Sequence, residues 1–372
     1  MHNKSKTYFI TGGGTGGHIY PAIAVADYIR EHEKDAKIYY IGNPQNLEYK
    51  IAEQKGYEFL PVNIHGMPRK ISLGMIKWLF DLTIACGKCS IYLNKYKPDA
   101  IFGTGGYVSA PVLLAAMVSK KTPYMMHDCD AQPGLVTRKL APKAKAVSLS
   151  FECACKYIKN PNCHINGNPI REAFKTLTKQ EARNYLGLDN RTTLCIMGGS
   201  QGAKTINYAT VEILKTLSRD YNLQIIFQTG RKNYDNTIAR LKEVYPTYED
   251  DRNLTIKPYF DDMVTVLKAS DIAVSRAGSL SISELCASSI ASILIPYPFA
   301  AADHQRKNAQ YMVDKNAALY LEDSETSPTM LLEKITELIK NPDLMDNLQK
   351  NAGFLAKFDA TQKIAEELEN LG

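Results

Sequence analysis

Three short stretches of this chain join glycines to residues able to do chemistry: Thr11-Gly12-Gly13-Gly14-Thr15-Gly16-Gly17-His18, Gly103-Thr104-Gly105-Gly106-Tyr107-Val108-Ser109 and Gly198-Gly199-Ser200-Gln201-Gly202-Ala203. Glycines let backbone N–H groups approach a phosphate closely, and a helix that opens directly afterwards adds the positive end of its dipole. His18 closes the first loop, where an imidazole suits proton abstraction near neutral pH. The first loop also spells Gly12-x-Gly14-x-x-Gly17, the dinucleotide fingerprint. That fingerprint wants an acid at the end of the second strand for the ribose hydroxyls. Here the segment Lys37 to Ile41 runs into Gly42-Asn43, with no acid before Glu48. A nicotinamide enzyme is therefore the weaker reading. Three such loops point instead to a cleft for a diphosphate-bearing molecule.

The elements that must position these loops read as strand, turn and helix in alternation. Tyr8–Ile10, Ala100–Phe102 and Leu194–Met197 each feed a glycine loop, and apolar helices follow over Pro21–Ile29, Pro111–Val118 and through Leu217. Further strands are expected at Lys37–Ile41, Tyr124–Met126, Ala146–Leu149, Gln224–Gln228, Ile272–Val274 and Ser292–Ile295. Such alternation implies an α/β protein with parallel sheets covered on both faces. A fresh strand–loop begins near Leu194, so two sheets fit better than one. The turn cluster Ile165-Asn166-Gly167-Asn168-Pro169 marks the boundary, giving domains of 1–166 and 167–354. The tail from Pro342 reads as one or two polar helices, and residues 355–372 are expected to pack back on the first domain.

The composition of the 372 residues narrows the class. It is 45% hydrophobic and 23% charged, as in globular proteins, and no apolar run reaches the roughly 20 residues that cross a bilayer. Met1 to Lys6 is polar and leads straight into a strand, so no secretory leader is expected. Forty-five Lys and Arg against 39 Asp and Glu leave +6, a mild excess that suits an anionic substrate or membrane surface and does not argue for nucleic acid. Eight scattered cysteines read as reduced thiols. Cys86 with Cys89, and Cys153, Cys155 and Cys163 with His164, lack the regular paired spacing of a zinc site.

Taken together, the three loops resemble those of the MurG family, the peptidoglycan N-acetylglucosaminyltransferases. The resemblance continues through Gly167-Asn168-Pro169-Ile170-Arg171, Phe260-Asp261-Asp262-Met263, Arg276 to Glu284 and Asp303-His304-Gln305. It implies a GT-B fold, two Rossmann-like domains facing a cleft. It implies GlcNAc transfer with inversion from UDP-GlcNAc to the 4-hydroxyl of the muramoyl sugar on undecaprenyl-diphosphate, turning lipid I into lipid II. It further implies that His18 and Asp128 are catalytic and that Thr15, Gly16, Gly17 and Asp130 contact substrate. Arg171 and Phe260, the latter through its backbone, lie near the uracil. Ser200 and Gln201 hold the diphosphate, the run Ser279, Leu280, Ser281, Ile282, Ser283 and Glu284 binds the nucleotide with Glu284 on the ribose, and Gln305 meets the sugar. No metal or other cofactor is implied.

One segment departs from the family. Where MurG proteins carry His-Glu-Gln-Asn, this chain reads His127-Asp128-Cys129-Asp130. Asp130 replaces a neutral amide by an acceptor-only group, which bears on sugar recognition. The spelling Asp-x-Asp binds metal in another transferase fold, and here reads as accidental. The stretch Met67–Tyr92 carries Ile71, Leu73, Met75, Ile76, Trp78, Leu79 and Phe80 among Arg69, Lys70, Lys77 and Lys88. An apolar surface rimmed by bases suits an anionic bilayer, so the chain is expected at the cytoplasmic face of the bacterial inner membrane, with Trp78 and Phe80 as its anchors. A UDP-GlcNAc 2-epimerase of the same fold, or a non-catalytic nucleotide-sugar-binding scaffold, stays open beside the transferase.

Overall fold

A computed structural model describes residues 5–68, 73–199 and 201–371. Two compact units emerge, one of Met1–Ile170 with Asp359–Gly372, the other of Arg171–Phe358. The turn Gly167–Pro169 stays with the first unit, because Asn168 is buried there and its Oδ1 lies 3.1 Å from His127 Nε2.

The first unit is built on a seven-stranded sheet: β1 (Thr7–Thr11), β2 (Lys37–Gly42), β3 (Glu58–Pro61), β4 (Ala100–Gly103), β5 (Tyr124–Asp128), β6 (Ala146–Leu149) and β7 (Cys163–Ile165). All neighbours pair in parallel, in the order β3-β2-β1-β4-β5-β6-β7. Alternate residues of a strand face opposite sides. Phe9 accordingly joins Ile101, Val112, Leu113 and Met126 on one face. Tyr8 and Ile10 join Ile19, Ile23, Tyr40 and Phe102 on the other. That second face is completed by Ile364, Ala365 and Leu368 of the last helix, Ala360–Glu369, which packs beside helix Gly16–His32.

The second unit holds six parallel strands: β8 (Thr193–Met197), β9 (Gln224–Gln228), β10 (Leu254–Lys257), β11 (Ile272–Ser275), β12 (Ala291–Leu294) and β13 (Ala318–Tyr320), in the order β10-β9-β8-β11-β12-β13. Leu194, Ile196, Phe227, Val274 and Ile293 pack with Ile206, Leu214 and Leu217 of helix Lys204–Arg219 and with Leu331 and Ile335 of helix Pro328–Lys340. The polar tail is two helices. Pro342–Leu355 belongs to the second unit and Ala360–Glu369 to the first.

Both sheets reverse their strand order at the first strand. β1 lies between β2 and β4, and β8 lies between β9 and β11. Chain leaving the carboxyl ends of strands on either side of such a reversal runs in opposite directions and opens a crevice for ligand. In each unit a glycine loop sits at that point.

Candidate active site

In the first unit, Gly12–Thr15 links β1 to helix Gly16–His32, and Thr104–Gly105 links β4 to helix Gly106–Ser119. The two loops touch closely enough to require glycine. A Cβ on Gly12 would fall 1.9 Å from Thr104 Oγ1 and 2.6 Å from the His18 carbonyl. Thr104 Oγ1 donates to that carbonyl at 2.6 Å, so the second loop fixes the backbone of His18. The imidazole, half-buried in the first helical turn, has Nδ1 3.0 Å from Thr15 Oγ1 and lies along Gly105 and Gly106.

Asp128 ends β5 and borders the same glycine. A Cβ on Gly105 would be 3.6 Å from His18 Cδ2 and 3.7 Å from Asp128 Oδ2. The carboxyl is buried and accepts the N–H groups of Asp130 (3.2 Å) and Gly134 (3.0 Å). Burial, then repulsion from Asp130, push its pKa up to about 7, against the hydroxyl of Thr137 and those two amides. Thr137 Oγ1 stands near Asp128 without completing a well-formed hydrogen bond. The adjacent His127 is fully buried between Ser148 Oγ (3.0 Å) and Asn168 Oδ1 (3.1 Å), and burial lowers its pKa to about 4. It is a neutral framework histidine. Oxygen and sulfur atoms of Asp128, Cys129 and Asp130 all lie within 4.8 Å of one another, though both Asp128 oxygens already accept backbone N–H groups. His18, Thr15, Gly16, Gly17, Asp128 and Asp130 thus come from the carboxyl ends of β1 and β5, with β4's loop between them.

In the second unit the third glycine loop joins β8 to helix Lys204–Arg219. Ser200 lies outside the described residues. Gln201 is exposed, and its carbonyl accepts from Asn233 Nδ2 at 3.0 Å. A Cβ on Gly202, whose φ is +78°, would strike the Thr229 carbonyl at 2.0 Å, so this loop packs backbone to backbone on the turn after β9. Gln228, buried at the end of β9, went unnoticed in the sequence. Its Oε1 accepts the Phe260 N–H at 2.9 Å and its Nε2 donates to the Gly199 carbonyl at 3.4 Å. Because Gln228 takes that N–H, Phe260 has only its carbonyl to offer a base.

Helix Ser279–Ala287 opens after β11, with Gly278 as its N-cap. First-turn amides have no intrahelical acceptor, which leaves those of Ser279, Leu280 and Ser281 available to an anion. Two members of the expected run act differently. Ile282 is buried and its N–H bonds the Gly278 carbonyl, so it serves the core and the helix. Ser283 Oγ donates to the Ser279 carbonyl at 3.0 Å. Glu284 Oε1 accepts from Arg171 Nη2 at 2.8 Å; burial raises the carboxyl pKa and Arg171 opposes it. The two expected nucleotide contacts are thus in contact with each other. Gln305 accepts the Tyr297 N–H at 2.9 Å, which holds the loop after β12. Arg276, also missed as a contributor, steadies that loop. It donates to the carbonyls of Ile295 (3.2 Å) and Pro296 (3.1 Å) and pairs with Asp323 at 2.6 Å.

The cysteine clusters do other things. Cys155 and Cys163 have sulfurs 3.9 Å apart, and burial pushes the Cys163 thiol up to about 12; His164 faces Glu367 at 2.8 Å instead. All eight cysteines are free thiols.

Residues 8–149 match the glycosyltransferase family 28 N-terminal domain and residues 193–368 its C-terminal domain. The chain is 37% identical to a UDP-N-acetylglucosamine–N-acetylmuramyl-(pentapeptide) pyrophosphoryl-undecaprenol N-acetylglucosamine transferase of Thermoanaerobacter sp. strain X514, over 98% of this chain and 99% of that protein. It is 35% identical to the transferase of the same description from Leuconostoc citreum, over 95% of each. Among solved structures, MurG of Acinetobacter baumannii superposes with a TM-score of 0.79 at 25% identity, covering 98% of this chain and 99% of that one. A UDP-GlcNAc 2-epimerase from Neisseria meningitidis reaches 0.67 at 14% identity, over 98% of this chain and all of that one, and shares the fold alone. With identity of this level sustained over nearly its whole length, the chain belongs to the MurG family of GT-B N-acetylglucosaminyltransferases.

Proposed function

We propose that the protein transfers N-acetylglucosamine from UDP-GlcNAc to the 4-hydroxyl of the MurNAc sugar of an undecaprenyl-diphosphate-linked acceptor. The observation that carries this reading is the seat of His18, fixed by Thr15 and by both glycine loops at the reversal point of the first sheet. With Nδ1–H donating to Thr15 Oγ1, Nε2 carries the lone pair. That nitrogen takes the proton as the acceptor oxygen attacks C1, the C1–phosphate oxygen bond breaks, and UDP leaves with the electron pair from the opposite face. The anomeric centre inverts. Asp128, on the other side of Gly105, favours the imidazolium that forms when its carboxyl, with a pKa raised to about 7, is ionised, and Asp130 borders the sugar.

The second unit holds the donor. Glu284 accepts the ribose hydroxyls, Arg171 and the Phe260 carbonyl flank the uracil, and Gln305 meets the GlcNAc. Negative charge grows on the diphosphate as UDP departs, and N–H donors of the third loop, Gln201 among them, and of helix Ser279–Ala287 are worth most at that moment; Ser200 keeps the diphosphate contact that the family resemblance implies. Such donors make a divalent metal unnecessary; activity abolished by EDTA and restored by Mg²⁺ would overturn that point. One assay with UDP-GlcNAc and a lipid I analogue tests the whole reading. Disaccharide supports transfer, whereas free epimer, or UDP binding without turnover, refutes it.

Peripheral attachment to an anionic membrane is supported by helix Leu73–Tyr96. No helix among the described residues is long and apolar enough to span a bilayer. Leu73, Ile76, Phe80, Ile84 and Ile91 are nevertheless 56–83% exposed, and their spacing places them on one stripe. Lys77, Lys88 and Lys95 run along the same helix, while Arg69, Lys70 and Ile71 lie outside the described residues. Trp78 is half-buried, its indole N–H donating to the His65 carbonyl at 2.8 Å, so it braces the helix and is not an exposed anchor. Replacing Ile76 and Phe80 together with serine should release the protein from anionic vesicles while leaving UDP affinity and Tm unchanged. Unaltered vesicle binding would remove this helix from the interface.

A further inference from the structure

Glu48 is the acid that arrives too late in the sequence for a dinucleotide fingerprint. It lies in the first turn of helix Leu47–Gln54 and is fully buried. Its carboxylate sits directly beneath the first glycine loop, so that a Cβ on Gly13 would lie 2.6 Å from Oε1. Oε2 accepts the Gly14 N–H at 3.3 Å; Oε1 accepts the Asn43 N–H at 3.3 Å and Asn46 Nδ2 at 3.1 Å. Asn46 Nδ2 also donates to the Tyr107 hydroxyl at 3.1 Å, and Tyr107 lies in the first turn of the helix that the second glycine loop opens. The Tyr40 hydroxyl donates to the Gly12 carbonyl at 2.6 Å from the same side. A carboxylate here does from inside part of what a bound phosphate does from outside in a dinucleotide enzyme, taking one N–H of the loop, that of Gly14, together with donors of the neighbouring Asn43 and Asn46.

We propose that Glu48 is a positioning residue of the transfer reaction. Acting as a built-in anion, it sets the first glycine loop and, through Asn46 and Tyr107, locks it to the second. His18 lies where those loops meet, with its carbonyl on Thr104 and its ring on Gly105 and Gly106. The brace therefore fixes the imidazole from below. This rests on the proposed role of His18, and the test separates the two.

The test compares Glu48→Gln, Glu48→Asp and Asn46→Ala with the wild type. Glutamine keeps the size of the side chain but sets an NH₂ against N–H donors. A base displaced by a fraction of an ångström to about 1 Å loses up to about 100-fold in rate. In Glu48→Gln, kcat should fall about 10- to 100-fold while KM for UDP-GlcNAc stays within about twofold. Glu48→Asp should recover part of the loss, and the half-exposed Asn46→Ala should lose less. The His18 ring resonance, assigned by its absence in His18→Ala, should move in Glu48→Gln and Asn46→Ala while that of His304 stays. This signal requires no turnover. A wild type that makes no disaccharide would refute the function and leave the brace to be judged by the resonance. A folded Glu48→Gln with wild-type kcat, or an unmoved His18 resonance, would overturn the proposal. So would an activity loss that only follows the folded fraction.

Discussion

The two units place a glycine loop at the same point of the same topology and then finish it with opposite chemistry. Beneath the first loop lies a carboxylate, Glu48, which takes the Gly14 N–H. Behind the third loop lie two amides, Gln228 and Asn233, which donate to the carbonyls of Gly199 and Gln201. A carboxylate can only accept, so it draws N–H groups inward and leaves the loop with less to offer an anion. An amide that donates to carbonyls occupies none of the third loop's N–H groups, although that of Gly202 turns inward to the Gly199 carbonyl at 3.0 Å. The first loop is thereby suited to the base proposed for it, and the third to the diphosphate proposed for it. Glycine content alone does not distinguish the two; the residue behind the loop does.

The sharpest way to break this division is His18→Ala. Turnover should fall about 10²- to 10⁴-fold, the range for losing a general base, while UDP affinity measured by calorimetry stays unchanged. A parallel loss of UDP affinity would mean that the first unit also holds nucleotide. Next comes Gln228→Glu, which gives the third loop the chemistry of the first. Its carboxylate can still accept the Phe260 N–H but faces the Gly199 carbonyl and stands behind the loop proposed to hold the diphosphate, so Kd for UDP should rise by about one to two orders of magnitude. Unaltered affinity would show that the residue behind the loop is indifferent. Smaller again is Glu284→Ala. UDP-GlcNAc should weaken by about tenfold, the worth of a hydrogen bond to a charged group, and an analogue lacking the ribose hydroxyls should change little. Equal losses for both ligands would remove Glu284 from the ribose.

How far the sequence carried can be read from the sheets. Every strand expected from apolar runs is present within a residue or two, and the four overlooked ones, β3, β7, β10 and β13, are the four sheet edges. Central strands such as β5, β8 and β9 are buried along their whole length and carry apolar runs, Tyr124–Met126, Leu194–Met197 and Ile225–Phe227. β10 alternates between half-buried and exposed residues, and β7 is half-buried at best, so Leu254–Lys257 and Cys163–Ile165 look like loop. In the site, glycines and the terminal His18 were legible because they are rare and clustered. Gln228, Glu48 and Arg276 were not, since each acts through a backbone partner distant in sequence: Phe260, Gly14 and Pro296. Ile282 shows the converse, being buried with its N–H on the Gly278 carbonyl. A run of residues can share a motif while helix periodicity turns one of them into the core.

The smallest effect concerns stability rather than rate, and it contrasts two neighbours within the first unit. Asp128 has a folded pKa raised to about 7, above its unfolded value of about 3.9. The native state therefore binds more protons than the unfolded one between those values, and this residue's contribution declines as pH rises from about 4 to about 7. His127 has a folded pKa lowered to about 4, below its unfolded value of about 6.5. Here the unfolded state binds more protons, so its contribution grows as pH rises across nearly the same window. The two slopes oppose each other from about pH 4 to 6.5, and in the wild type they largely cancel. Asp128→Asn keeps the acceptor for one backbone N–H and removes the titration. Its stability in urea should rise more steeply than the wild type's between pH 5 and 6.5 and should not fall between 6.5 and 7.5, where the wild type still loses ground (about one proton's worth of slope). Parallel curves for the two proteins over that range would mean that Asp128 is ionised in the fold at neutral pH, and that the amides of Asp130 and Gly134 outweigh its burial.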